Sequence, residues 1–121
     1  RGLLVLETPN LGYVAVLPMG MAQVSSVVFT TPGPDHTPIT LTDEECAEKS
    51  YQQQVDAVNA KISCELVGQQ LGKGEMFSLF QFGGSDCVVV FERRANVNIT
   101  ATRGVHYPIR SQYAVANYNK Q

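Results

Sequence analysis

Phe80-Gln81-Phe82-Gly83-Gly84-Ser85-Asp86-Cys87-Val88-Val89-Val90-Phe91 is the stretch on which the reading of this chain turns. An alternating aromatic segment enters it and an apolar, β-branched run leaves it, so it reads as strand, turn, strand. Gly83 and Gly84 leave the backbone open between the two. Ser85 follows at once. Its hydroxyl can reach the carbonyl of Gly84, where no side chain obstructs it. A peptide bond can then be exchanged for an ester, so Ser85 is a candidate nucleophile against its own backbone.

Outward from this point the chain stays mostly β. Leu3–Glu7 and Tyr13–Leu17 read as a hairpin around Thr8-Pro9-Asn10-Leu11-Gly12. Gln23–Thr30 reads as a third strand. Thr31–Pro38 holds three prolines and a glycine and is expected to be a loop. Thr42 with Glu45 three residues later is a capping-box signal. Ala47, Tyr51, Val55, Val58 and Ile62 recur at helical spacing, which predicts one amphipathic helix from Asp43 to about Lys61. Strands are expected at Ile62–Val67, Glu75–Phe82, Cys87–Glu92, Val97–Thr102 and Tyr113–Ala116, with a Gly-rich turn at 68–74. The fold class is therefore mainly β (α+β), a small barrel or sandwich of short antiparallel strands with one inserted helix.

Composition narrows the function. The 121 residues are 44% hydrophobic, enough for a core in one domain or part of one. The formal net charge is -2, which gives no basic footprint for nucleic acid. The longest apolar runs fall far short of a membrane span. Cys46, Cys64 and Cys87 are odd in number and widely spaced, which argues against a disulfide framework or a zinc site and for a reducing compartment. No metal is expected. The opening Arg1, without an initiator methionine, suggests a piece of a longer precursor.

Two blocks of sequence resemble the phosphatidylserine decarboxylase family. The first runs from Lys73-Gly74-Glu75-Met76 through Phe80-Gln81-Phe82-Gly83-Gly84-Ser85 to Val88-Val89-Val90-Phe91-Glu92. The family shows Lys-Gly-Glu-Glu, then Phe-x-Phe-Gly-Gly-Ser-Thr, then an aliphatic strand, and the spacing from Lys73 to Ser85 agrees. The second, Met19-Gly20-Met21-Ala22-Gln23-Val24-Ser25-Ser26-Val27, is similar to the family's Val-Gly-Ala-Thr-x-Val-Gly-Ser-Ile. Gly20, Val24 and Ser26 match, and Ser25 stands where the family prefers glycine. Asp86 replaces the usual threonine, and Phe77 and Ser78 replace an aliphatic residue and a glycine. The resemblance covers most of residues 1–30 and 62–116, so 31–61 reads as a loop-helix insertion.

The resemblance implies a pyruvoyl-dependent carboxy-lyase in which residues 1–121 are the C-terminal part of one catalytic domain. Self-cleavage would fall between Gly84 and Ser85, with Gly83 in the same turn, and would convert Ser85 into the pyruvoyl cofactor. That ketone would form a Schiff base with the amine of phosphatidylserine or of a free, possibly aromatic, amino acid. Soluble relatives of the second kind exist. The family's aspartate and histidine would come from an upstream segment of the same precursor. A homodimer, in the cytoplasm or peripheral at a membrane, completes the expectation.

Several residues admit two readings. Asp86 either steers a cationic amine or caps its own turn; its charge favours a free amino acid over a phospholipid. Phe80 and Phe82 share a strand face and either line a substrate pocket or pack in the core. Arg93-Arg94 bind an anion or sit in a solvated turn. His36 and His106 are loop histidines with no orienting partner visible in the sequence. Asn98-Ile99-Thr100 is a glycosylation sequon. Two other function classes stand beside the enzyme reading: a carrier or interaction domain built on Gly72-Lys73-Gly74, and a serine hydrolase using Ser85. The hydrolase motif would need glycine at position 87, where this chain has cysteine.

Overall fold

The computed structural model describes residues 1–20, 26–81 and 85–117. The chain forms two compact units, Arg1–Gly20 with Ser85–Gln121, and Met21–Gly84. It is mainly β, with small antiparallel sheets and one longer helix.

The first unit is built on a three-stranded sheet of order β1-β2-β5. β1 (Leu4–Thr8) and β2 (Gly12–Pro18) form the expected hairpin, in register from Leu4↔Val16 to Thr8↔Gly12. Its turn is closed by Thr8, whose Oγ1 donates to the Gly12 carbonyl (2.8 Å) and accepts the Leu11 N–H (3.0 Å). Gly12 sits at φ +75°, where only glycine is unstrained. β5 (Cys87–Phe91) pairs with β2 from Val14↔Phe91 to Pro18↔Cys87. Alternation buries Val14 and Val16 on one face. The other face is apolar too, but Val5, Tyr13, Val88 and Val90 lie exposed on it. A single 3₁₀ turn, Arg93–Ala95, buries Ala95 completely and leads to β6 (Val97–Ile99), which pairs with β7 (Ala114–Ala116).

The second unit pairs β3 (Ser26–Phe29) with β4 (Ser78–Gln81), from Ser26↔Gln81 to Phe29↔Ser78. Among its described residues, Val28, Phe29, Thr30, Ile39 and Leu66 are buried. The Phe29 and Phe77 rings lie tilted with centroids 6.3 Å apart. Residues 31–38 form the expected loop, bridged by Thr30 and Pro38. The Gln23–Ser25 part of the expected third strand and Phe82 of the expected strand Glu75–Phe82 lie outside the described residues.

Two expectations are corrected. The single helix Asp43–Lys61 is two: α1 (Asp43–Cys46) and α2 (Tyr51–Leu66). Thr42 and Glu45 make the anticipated capping box on α1. The break follows because Glu48 adopts φ +62° and Ser50 opens a second capping box with Gln53. The strand Ile62–Val67 is instead the end of α2. Ile62 and Leu66 extend the stripe of Val55 and Val58 at helical spacing, and the helix stops only where Gly68 takes φ +82°. Replacing Ser50 with Ala removes the cap on Gln53 and should lower stability by about 1 kcal/mol. Urea unfolding of S50A against wild type measures it, and an unchanged midpoint would contradict the second cap.

Candidate self-processing site

Ser85 is half-buried and stands two residues before β5. The backbone beside it is anchored: the Asp86 carbonyl accepts the Met19 N–H at 2.8 Å, and Pro18↔Cys87 opens the β2–β5 ladder. The ladder therefore continues up to the residue that follows Ser85. The Asp86 side chain is exposed. Gly83, Gly84 and Phe82 lie outside the described residues. Phe80 is half-buried on β4 across from Val27.

Cys87 is the nearest competing nucleophile. Partial desolvation pushes its thiol above the ordinary value, so it stays protonated at neutral pH and is a poor rival to Ser85. All three cysteines are free thiols. Among the described residues, no group of three or more His, Cys, Asp or Glu is placed to hold a metal ion. Among them, too, no helix is long and apolar enough to cross a membrane.

The far end of the same ladder is held by Glu92. Its Oε1 accepts the Tyr13 N–H at 2.9 Å, and its Oε2 pairs with Arg94. The Tyr13 hydrogen bond is the main reason its carboxyl lies below the ordinary range, with Arg94 adding to it. Arg94 thus serves the fold, while Arg93 is exposed in the 3₁₀ turn. Glu92 and Tyr13 are far apart in sequence, and no local signal marks them as partners. His106 is exposed in the loop between β6 and β7, and Asn98 is exposed on β6.

His36 and Glu75 both lie in the second unit. His36 takes φ +44°, and its Nδ1 is buried without a hydrogen-bond partner. Glu75 accepts two backbone N–H groups and is held below the ordinary carboxylate range, chiefly by Gly72.

The rival chemistries lose their scaffolds here. A nucleophile elbow leads from strand to helix, whereas Ser85 leads into strand β5. A carrier lysine needs the tip of a hairpin, whereas Lys73 lies in a turn between α2 and β4, and β4 pairs with β3.

The sequence matches the phosphatidylserine decarboxylase family over residues 1–112, and the chain belongs to that family. It is a family of carboxy-lyases, generally dependent on a pyruvoyl group. Searches among curated proteins and among solved structures give no match.

Glycine at position 12 is required by φ +75°; a Cβ there would also meet the ends of the Arg94 and Glu92 side chains, which can shift. Gly12→Ala should destabilise the chain by ~1–3 kcal/mol. Thermal unfolding checks this, and a wild-type midpoint would contradict the left-handed backbone at position 12.

Proposed function

We propose that this chain is the self-cleaving part of a pyruvoyl-dependent decarboxylase, with the break between Gly84 and Ser85. The observation that carries the reading is the position of Ser85, directly ahead of a strand whose backbone is fixed from the next residue onward.

The Ser85 Oγ attacks the Gly84 carbonyl carbon. The amide C–N bond breaks, an ester C–O bond forms, and the hydroxyl proton passes to the nitrogen of residue 85. Loss of the Cα proton then expels the Gly84 carboxylate and leaves dehydroalanine at position 85. Its imine tautomer takes up water and releases ammonia, which leaves a ketone at the new N-terminus. Every atom comes from the chain or from one water. The products are one piece ending at Gly84 and one beginning at position 85.

The residues present fit such a group. Asp86 and the β2–β5 ladder hold the backbone next to the ketone. β1 and β2 belong to the first product and β5 to the second, so one sheet holds both pieces after the covalent bond is gone. The pyruvoyl group supplies an electron sink for the carbanion left when carbon dioxide departs. The exposed Asp86 carboxylate lies beside it and attracts a cationic amine while repelling a phosphate. We therefore favour a free α-amino acid, aromatic ones included, over the serine headgroup of phosphatidylserine. The working enzyme also takes the family's aspartate and histidine from an upstream segment of the precursor, and it is a homodimer. The exposed apolar face carrying Val5, Val88 and Val90 is a surface that the upstream segment would cover.

Denaturing mass spectrometry of the full-length protein should show the wild type split into two pieces at Gly84–Ser85, the later one blocked to Edman chemistry. Ser85→Ala should stay whole. Under native conditions the two wild-type pieces should elute together and part only on denaturation. An intact wild type that is still an active decarboxylase would overturn the reading. Carbon dioxide release from free aromatic amino acids, compared with phosphatidylserine vesicles, decides the substrate.

A further inference from the structure

The charge of the chain is divided unevenly along its length. All eleven acidic residues lie within residues 1–92, beside four of the nine lysines and arginines; residues 93–121 hold the other five and no acidic residue. In the first unit this basic end supplies the β6–β7 hairpin and the long loop that joins its strands. Every position from 102 to 110 in that loop is exposed. Apolar side chains share the exposure: Val105 is 54% exposed, Tyr107 39% and Ile109 87%. Arg103 precedes these three, His106 lies among them, and Arg110 follows.

The loop is held by its own hydrogen bonds. At its base the Tyr113 carbonyl accepts both the Thr100 N–H (2.8 Å) and the Ala101 N–H (3.0 Å). A first turn is closed by the Val105 N–H on the Thr102 carbonyl (3.3 Å), with Arg103 and Gly104 at its corners and Gly104 at φ +83°. A second is closed by the Ser111 N–H on the Pro108 carbonyl (3.1 Å), with Ile109 and Arg110 at its corners and Arg110 at φ +67°. Between them, the Tyr107 hydroxyl accepts the Thr102 N–H at 2.9 Å. That bond ties the middle of the loop to its first turn and engages the polar end of Tyr107. A Cβ built at Gly104 would meet nothing within 4 Å, so the first turn faces open space.

Each turn thus presents an arginine at a corner, and apolar side chains lie between and beside the two. Exposed apolar side chains gathered in one place mark a contact surface, and the arginines select negative charge. A loop already ordered loses little conformational freedom on contact. A nucleic acid would satisfy the arginines and leave Val105 and Ile109 without an apolar medium. An anionic bilayer interface takes both kinds of side chain: its phosphates meet the arginines, its acyl boundary takes valine and isoleucine, and tyrosine suits the level between.

We propose that the loop at 102–110 docks this protein on an anionic phospholipid surface, with Val105 and Ile109 entering the interface and Arg103 and Arg110 meeting the phosphates beside them. The loop shares no residue with the Ser85 site. The docking does not rest on self-cleavage, and it holds for a lipid substrate or a free amino acid alike.

The test uses the full-length protein as wild type, Ile109→Ser and Arg103→Gln, sedimented with vesicles of phosphatidylcholine alone or mixed with phosphatidylglycerol. Phosphatidylglycerol supplies the anionic surface without the serine headgroup. Thermal unfolding serves as the control for folding, and both exposed substitutions should leave the midpoint unchanged. On the anionic vesicles, I109S should bind roughly tenfold more weakly than wild type and R103Q about fivefold more weakly. The R103Q deficit should shrink as salt is raised, because salt screens the charge term; the I109S deficit should persist. On phosphatidylcholine alone, R103Q should match wild type. Equal binding of all three proteins to the anionic vesicles would overturn the proposal, whatever other part of the protein binds lipid. Unchanged vesicle binding together with a smaller particle for I109S in light scattering would overturn it in favour of a protein contact. Mass spectrometry of the same samples reports on the Gly84–Ser85 break separately, so an uncleaved wild type would leave the docking result standing.

Discussion

Five residue pairs, from Val14↔Phe91 to Pro18↔Cys87, tie β2 to β5, and the site depends on them. β5 is short and is exposed at three of its five positions. Little burial of its own holds it in place, so its position comes from the backbone ladder and from what closes the ladder's two ends. At one end the Met19 N–H reaches the Asp86 carbonyl; at the other, Glu92 takes the Tyr13 N–H and Arg94. Two anchors with a run of paired backbone between them fix the strand's register, which a one-residue slip would otherwise invert.

This ladder also bears on self-cleavage. A chain that cuts itself must not release its catalytic end. The strand after the proposed cut is paired to a strand before it, so the new terminus would be held by hydrogen bonds that do not involve the broken peptide. The attack itself asks for the opposite property on the other side of the bond. The sequence places two glycines, 83 and 84, there, which carry no side chain to shield the carbonyl.

The strand pattern was largely legible in the sequence because alternation and turn chemistry are local. Thr8, Gly12 and the valine-rich runs specify the first hairpin and β5 without help from distant residues. The helical segment was misread for equally local reasons. Ser50 and Gln53 form a second capping box inside a periodic stretch, and the periodicity hid it. Ile62 and Leu66 fit both a strand and the last turns of a helix, and only the conformation of Gly68 decides between them. The family was legible too, since its motifs are contiguous. What the sequence could not show were the pairings across long separations: Glu92 with Tyr13, and Glu75 with Gly33. Neither carboxylate has a local feature that marks its partner.

These two carboxylates share one device. Each accepts a backbone N–H from a segment distant in sequence and so joins the two segments. A carboxylate suits this task because its two oxygens can serve two donors at once, and hydrogen bonds to an ionised acceptor are the stronger kind. Both are held below the ordinary carboxylate range, with a backbone N–H as the main cause in each case. Each therefore stays charged through the neutral range. In a chain with so small a buried core, such clasps replace packing as the means of fixing loops, and they do so beside β4 and β5, the two strands that flank Ser85.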